Sequence, residues 1–116
     1  MLPQKRRLTR SELSRGGFST LFRSSFLILK ARSNKLAFDR FSVTASKGVS
    51  PLAIRRNWLR RRGYAFFREA RAPRESADGH RDYLLVFLTG ARDLLYDEEA
   101  LRREIGRAFV AVQRQR

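Results

Sequence analysis

The chain of 116 residues has no cysteine, one histidine and only 11 acidic residues. Without cysteine there is no disulfide framework and no thiolate metal site, and nothing points to secretion. His80 cannot build a metal cluster alone. Long apolar runs are also missing. The longest, residues 83–89, is strand-sized, well short of the roughly 18 residues that a membrane span needs. No membrane partner is expected, and the cytoplasm is the expected location. No internal repeat or low-complexity linker interrupts the chain.

What the chain has in excess is positive charge: 26 Lys and Arg give a formal net charge of +15. A compact domain with that charge repels itself, and a polyanion would offset it. Nucleic acid is the first candidate and an anionic membrane surface the second. Most of the cations are Arg, whose planar fork suits phosphates and guanine edges. The length fits a single RNA-binding domain, with a basic N-terminal segment over about residues 1–17 and a core over about 18–113. Residues 1–25, rich in Arg and Ser with Glu12 as their only acid, also have the composition of a mitochondrial transit peptide. Leu2-Pro3 followed by Lys5-Arg6-Arg7 is a poor start for the amphipathic helix such a peptide forms.

Patterning predicts a short helix over 9–15, capped by Thr9 or Ser11 and stopped by Gly16-Gly17. A strand is expected over 26–31 and a turn at 33–35. Residues 40–47 alternate cleanly, with Phe41, Val43 and Ala45 on one face and Ser42, Thr44 and Ser46 on the other. That pattern fits a sheet with one wet face. Residues 48–51 break the pattern, and Pro51 sits just inside a long helix to about residue 70. After a loop over 71–81, residues 82–89 form a strand apolar enough to be central, ended by Gly90. Asp97 caps a last helix whose Leu101, Ile105, Ala108, Phe109 and Val112 share a face.

The long helix carries the functional argument. At about 100° per residue, Leu52, Leu59, Gly63, Phe66, Phe67 and Ala70 form the stripe expected on the sheet. Gly63 is costly inside a helix, and on this stripe it would allow a close approach to the strands. Asn57, Arg60, Arg61, Tyr64, Arg68 and Arg71 occupy the opposite side, with Arg55, Arg56 and Arg62 flanking. A merely solvated face would mix signs and gain from Glu–Lys pairs one turn apart. This one has Glu69 as its only acid, so phosphate contact is the expected role.

Ser46-Lys47-Gly48-Val49, followed by Ala53-Ile54-Arg55-Arg56-Asn57-Trp58-Leu59-Arg60-Arg61, resembles the signature of the bacterial ribonuclease P protein family, S-K-K-V-G-x-A-V-x-R-N-R-x-K-R. The resemblance extends to Leu2-Pro3 with Arg7-Leu8, to the strand leading into the motif, and to Asp82-Tyr83 through Glu99. Trp58 replaces the second Arg of R-N-R and Gly48 the second Lys of S-K-K. One extra residue lies between Lys47 and Ala53, and the region between Leu8 and Phe26 is short.

The resemblance implies an α+β fold: an α-β-β-β-α-β-α sandwich with a left-handed βαβ crossover, where pattern alone would predict the usual right-handed one. Its additional strand would come from splitting residues 18–31. The resemblance also implies a protein subunit that binds the ribonuclease P catalytic RNA and precursor tRNA, one protein per RNA. The RNA would cut off the 5′ leader with magnesium that it mainly binds itself. Arg56, Asn57, Arg60, Arg61 and Lys47 match motif positions. The expected RNA-binding set is Lys47, Arg55, Arg56, Asn57, Trp58, Arg60, Arg61, Arg62 and Tyr64. Leader binding is expected in a cleft between the long helix and the sheet, with Phe18, Phe22 and Phe26 as stacking candidates and Ser42, Thr44 and Ser46 as a polar strand face. Core packing is the competing role for each Phe. Two roles stay open for Trp58: packing on another element, or stacking on a base.

No catalytic or metal-binding residues are expected in the protein. His80, near Asp78 and Asp82, reads as a surface residue, and no paired acids suggest a two-metal site. The rivals are a structural ribosomal or other basic RNA-binding protein, a stand-alone metal-dependent nuclease using a carboxylate such as Asp82 or Asp93, and a helix-turn-helix DNA reader.

Overall fold

A computed structural model describes residues 7–36, 38–71 and 80–114. The expectations for Leu2-Pro3, for loop residues 72–79 and for the side chains of Ala70 and Arg71 lie outside what it describes.

The order is α1 (Arg10–Leu13), β1 (Ser19–Arg23), β2 (Leu27–Ser33), β3 (Arg40–Ala45), α2 (Ala53–Arg71), β4 (Arg81–Phe87), a 3-10 helix (Thr89–Leu94) and α3 (Glu98–Arg114). The four strands form one sheet in the order β1-β2-β4-β3. β4 is central, as its apolar sequence predicts; it is antiparallel to β2 and parallel to β3. The split of residues 18–31 into two strands is present. Its turn is held by Ser24, whose backbone N–H donates to the Leu27 carbonyl and whose Oγ accepts from the Phe26 N–H.

One face of the sheet is built from Leu27, Leu29 and Ala31, from Phe41, Val43 and Ala45, and from Tyr83, Leu85 and Phe87, all buried. Helices α2 and α3 cover it. Phe41 stacks on Phe67 of α2 at 4.3 Å and on Tyr83 at 5.5 Å, and Phe109 of α3 meets Phe67 edge-on at 5.2 Å. Gly63 does what its stripe position predicts: a Cβ there would stand 2.9 Å from Val43 Cγ1. Gly90 does not simply end β4. It lies in the 3-10 helix, where a Cβ would come within 2.4 Å of the Ser25 carbonyl oxygen.

Two boundaries that bear on the site differ from the sequence reading. β3 stops at Ala45, before Ser46 and Lys47. α2 starts at Ala53, so Pro51 precedes it. Leu52, assigned to the buried stripe, is 49% exposed because it lies ahead of the helix. At the other end of the chain, Asp97 caps α3 as expected, with its Oδ1 accepting from the Ala100 N–H at 3.1 Å.

The edge of β3 is partly closed by the N-terminal segment. Arg7 bridges Phe41 in parallel, and the Leu8 N–H donates to the Phe41 carbonyl at 2.8 Å. α1 is a single turn with a capping box: Thr9 Oγ1 accepts from the Glu12 N–H, and the Glu12 carboxylate accepts from the Thr9 N–H at 2.8 Å.

Candidate nucleic-acid interface

The site begins with how α2 is oriented. Leu59, Gly63 and Phe67 are buried against the sheet, with Phe66 packed beside them. These contacts fix which side of the helix stays outside. Arg55, Asn57, Arg61 and Arg68 are exposed, and Arg56 and Arg60 are half-buried. Two of these side chains are held in place from within the protein. Arg56 donates to the Ser50 carbonyl at 2.9 Å, and Arg60 donates to Asn57 Oδ1. Asn57, Arg60, Arg61, Tyr64, Ala65 and Arg68 line an open groove along the helix. Lys47 is exposed in the turn between β3 and α2.

The acids near α2 lie on its α3 side. Arg62 pairs with Glu98 at 2.6 Å, and Glu69 pairs with Arg102 at 3.0 Å. Among the described residues, Arg55, Arg56, Arg60, Arg61 and Arg68 make no ion pair with a carboxylate. Five guanidinium groups along one helix repel each other unless an anion sits among them. Their forks suit phosphate oxygens.

Two members of the expected set also make contacts within the protein. Tyr64 reaches over the edge of the sheet, where its hydroxyl accepts from the Val43 N–H at 3.3 Å. That satisfies a donor on edge strand β3, which the helical wheel could not reveal. Trp58 packs beside another element, its ring 5.3 Å from that of Tyr96 in the turn before α3, a contact compatible with either of its two open roles.

Between α2 and the sheet face that it covers, where the leader cleft was expected, Leu59, Gly63 and Phe67 pack against the strands. The open face is the opposite one, and strand register arranges it in rows. Arg32, Asp82 and Arg40 form the first row, Lys30, Leu84 and Ser42 the second, and Ile28, Val86 and Thr44 the third. The candidate residues divide accordingly. Thr44 is half-buried on the open face, Ser46 is exposed beyond the strand, and Ser42, 5% exposed, offers little surface. Phe22 pairs across from Leu29 and lies under Arg107 of α3, on the helix side. Phe26 packs against the core. Phe18 is covered by the Arg32 guanidinium at 4.3 Å.

The first row is a charge network that sequence reading missed. Asp82, 1% exposed, accepts from Arg32 Nε at 2.9 Å, from Asn34 at 2.9 Å, and from Arg40 Nε and Nη2 at 2.8 Å each. Arg40 also pairs with Glu12, and Arg32 donates to the Glu12 and Gly16 carbonyls at 2.7 Å. Burial alone would raise the Asp82 pKa, but hydrogen bonds from Arg40, Asn34 and Arg32 outweigh it and hold the carboxyl below its ordinary value. The Thr9 N–H, aided by Thr9 Oγ1 and Arg40, likewise holds Glu12 low against some desolvation. A carboxylate so fully engaged is a poor general base. His80 is half-buried rather than a surface residue, and its Nδ1 lies 3.4 Å from Asp39, not beside Asp82. Among the described residues no group of three or more His, Asp or Glu side chains gathers as metal ligands.

A mixed sheet covered on one face by two helices, one of them presenting arginines that have no carboxylate partner among the described residues, defines a small basic α+β protein. The family model for ribonuclease P matches residues 2–113, and the chain belongs to that family as the protein subunit of this tRNA-processing endoribonuclease. Solved structures have the same fold. The chain is similar to the RNase P protein of Staphylococcus aureus, with a TM-score of 0.77 and 14% identity over 92% of this chain and 94% of that one. It is also similar to the RNase P protein of Thermotoga maritima, with a TM-score of 0.66 and 16% identity over 90% and 89%. Among curated proteins, none matches.

Proposed function

We propose that this subunit grips the catalytic RNA through the arginine face of α2 and receives the 5′ leader of precursor tRNA on the open face of the sheet. The observation that carries the first part is the row of guanidinium groups without carboxylate partners among the described residues. The second part rests on the lower rows of the sheet. Lys30 supplies charge, Thr44 and Ser46 supply hydroxyls, and Ile28, Leu84 and Val86 supply apolar surface that tolerates any base. Phosphodiester hydrolysis, and the magnesium it uses, belong to the RNA in this reading. Among the described residues Glu12, Asp39, Glu69, Asp82, Asp97, Glu98, Glu99 and Glu104 are engaged by arginines, backbone donors or a helix start, and the chain's contribution in this reading is to relieve phosphate repulsion and position substrate. The reading takes one protein per RNA, in the cytoplasm; no described helix is long and apolar enough to cross a membrane.

Two binding measurements test this. Affinity for the catalytic RNA should fall with salt with a log–log slope of several units, by counterion release; a flat dependence contradicts phosphate contact. Lys30→Ala should weaken holoenzyme binding of precursor tRNA that carries a leader more than binding of leaderless tRNA. Equal effects would remove the leader from the open face.

A further inference from the structure

We propose that Trp58 and Tyr96 together form a stacking platform for one unpaired base of the RNA partner. The proposal rests on the reading that α2 contacts RNA and adds a contact that is not electrostatic. Tyr96 is 59% exposed although its ring lies 5.3 Å from that of Trp58, and Ile54, one turn before Trp58, is 71% exposed. These residues form an apolar surface at one end of an otherwise basic helix.

Charge around the pair favours a nucleobase over a phosphate. Arg55 and Arg62 neighbour Trp58 at i−3 and i+4. Arg62 is neutralised by Glu98, whereas Arg55 has no carboxylate partner among the described residues. A base can therefore sit on the rings while its flanking phosphate meets Arg55. Backbone geometry supplies an independent observation. Tyr96 has φ +61°, one of two non-glycine residues with positive φ among those described. Gly or Asn would take that conformation with less strain. Backbone strain of this kind at an exposed aromatic is a feature of functional surfaces. Aromatic faces accept any base, because every base has a π-face.

Trp58 is the only tryptophan, so its fluorescence reports on the platform directly. The full chain would be titrated with ribonuclease P RNA and with a fully paired RNA duplex of similar charge. Quenching that saturates with binding to the ribonuclease P RNA, and is much weaker with the duplex, is expected. Trp58→Leu keeps apolar packing without a stacking ring, and Tyr96→Asn suits the turn while removing the second ring. Each should lower affinity about 5- to 150-fold, the range that loss of one base stack gives. Circular dichroism should be unchanged, and so should the salt slope, because no cation is removed. Tyr96→Asn tests the idea even if Trp58→Leu folds poorly. Unquenched Trp58 with unchanged affinity in Tyr96→Asn, while wild-type protein still stimulates precursor cleavage, would overturn the platform and leave the α2 reading standing. That result would assign the apolar surface to a protein contact instead. Failure of wild-type protein to bind or stimulate the RNA would remove the underlying reading, and the platform with it.

Discussion

Arg32 and Arg40 share one buried carboxylate, Asp82, and add Glu12 and backbone carbonyls to their partners. Arg55, Arg61 and Arg68 of α2 have no carboxylate partner among the described residues and stay exposed. The same residue type serves two purposes, and its partners decide which. On the open face, guanidinium groups fasten the N-terminal segment to the sheet. On α2 they remain available to a ligand. A net charge of +15 says only that some anion is wanted; the ion pairs show which arginines are already engaged.

The largest effect expected from breaking this division is at Asp82. Asp82→Ala leaves two partly buried guanidinium groups without their shared anion, a change worth about 3–5 kcal/mol of stability when a buried pair is broken. Urea unfolding would measure it, and a loss below about 1 kcal/mol would contradict the network's structural role. The same carboxyls give a pH signature. Asp82 and Glu12 are both held below their ordinary pKa values in the folded chain. Their contribution is therefore present above the unfolded carboxylate range, about pH 4, and is lost as pH falls through the depressed folded values. Stability should fall on acidification below about pH 4, and less steeply in Asp82→Asn. Identical acid titrations of the two proteins would place the coupling elsewhere.

Next in size is the close approach that aims α2. Gly63→Ala would gain about 1 kcal/mol in helix propensity. It would also press a methyl against Val43 Cγ1 at 2.9 Å, and overpacking typically costs about 1–3 kcal/mol. A lower melting temperature is expected, partly restored by adding Val43→Ala. A higher melting temperature would show that the helix can shift away freely.

Tyr64→Phe should have a smaller effect. It removes the acceptor for the Val43 N–H and should cost about 1 kcal/mol or less, with RNA affinity unchanged. A clear loss of RNA affinity would return Tyr64 to the interface. Smallest in stability is Arg60→Ala, expected within about 0.5 kcal/mol of wild type because Arg60 is only half-buried on the solvent side of α2 and its bond to Asn57 lies on the surface. It should nonetheless weaken RNA binding and reduce the salt slope by about one. Unchanged slope and affinity would take Arg60 out of the interface.

Much of this was legible in sequence because it is local. Alternation in residues 40–45, the apolar run of β4, the Asp97 cap and the one-sided charge of α2 are patterns within a few residues. The R-N-x-x-R-R segment after S-K-x-V pointed to the family. Less visible were features set by strand pairing. Arg32, Arg40 and Asp82 meet only because β4 lies between β2 and β3, 42 to 50 residues away in sequence. Tyr64 lay on the charged side of the helical wheel, yet a phenol is long enough to reach the edge strand. Phe22 was offered for stacking because aromatic side chains suit both bases and cores, and a register shift between Thr20 and Phe22 decides its side. The pattern of β3 shows two faces without showing which one the helices cover, so the sequence could not say which face stays open. Tyr96 carried no signal except an aromatic residue in a turn.

The central claim is that this chain assists a catalytic RNA through unpaired arginines and does no chemistry itself. Multiple-turnover cleavage of precursor tRNA by a bacterial ribonuclease P RNA at low magnesium, with and without the protein, tests it most directly. Strong stimulation with the cut at the mature 5′ end, much reduced by Arg56→Ala with Arg60→Ala, and no cleavage by protein alone, is predicted. Cleavage by the protein without RNA, or no stimulation of its cognate RNA, would contradict the account.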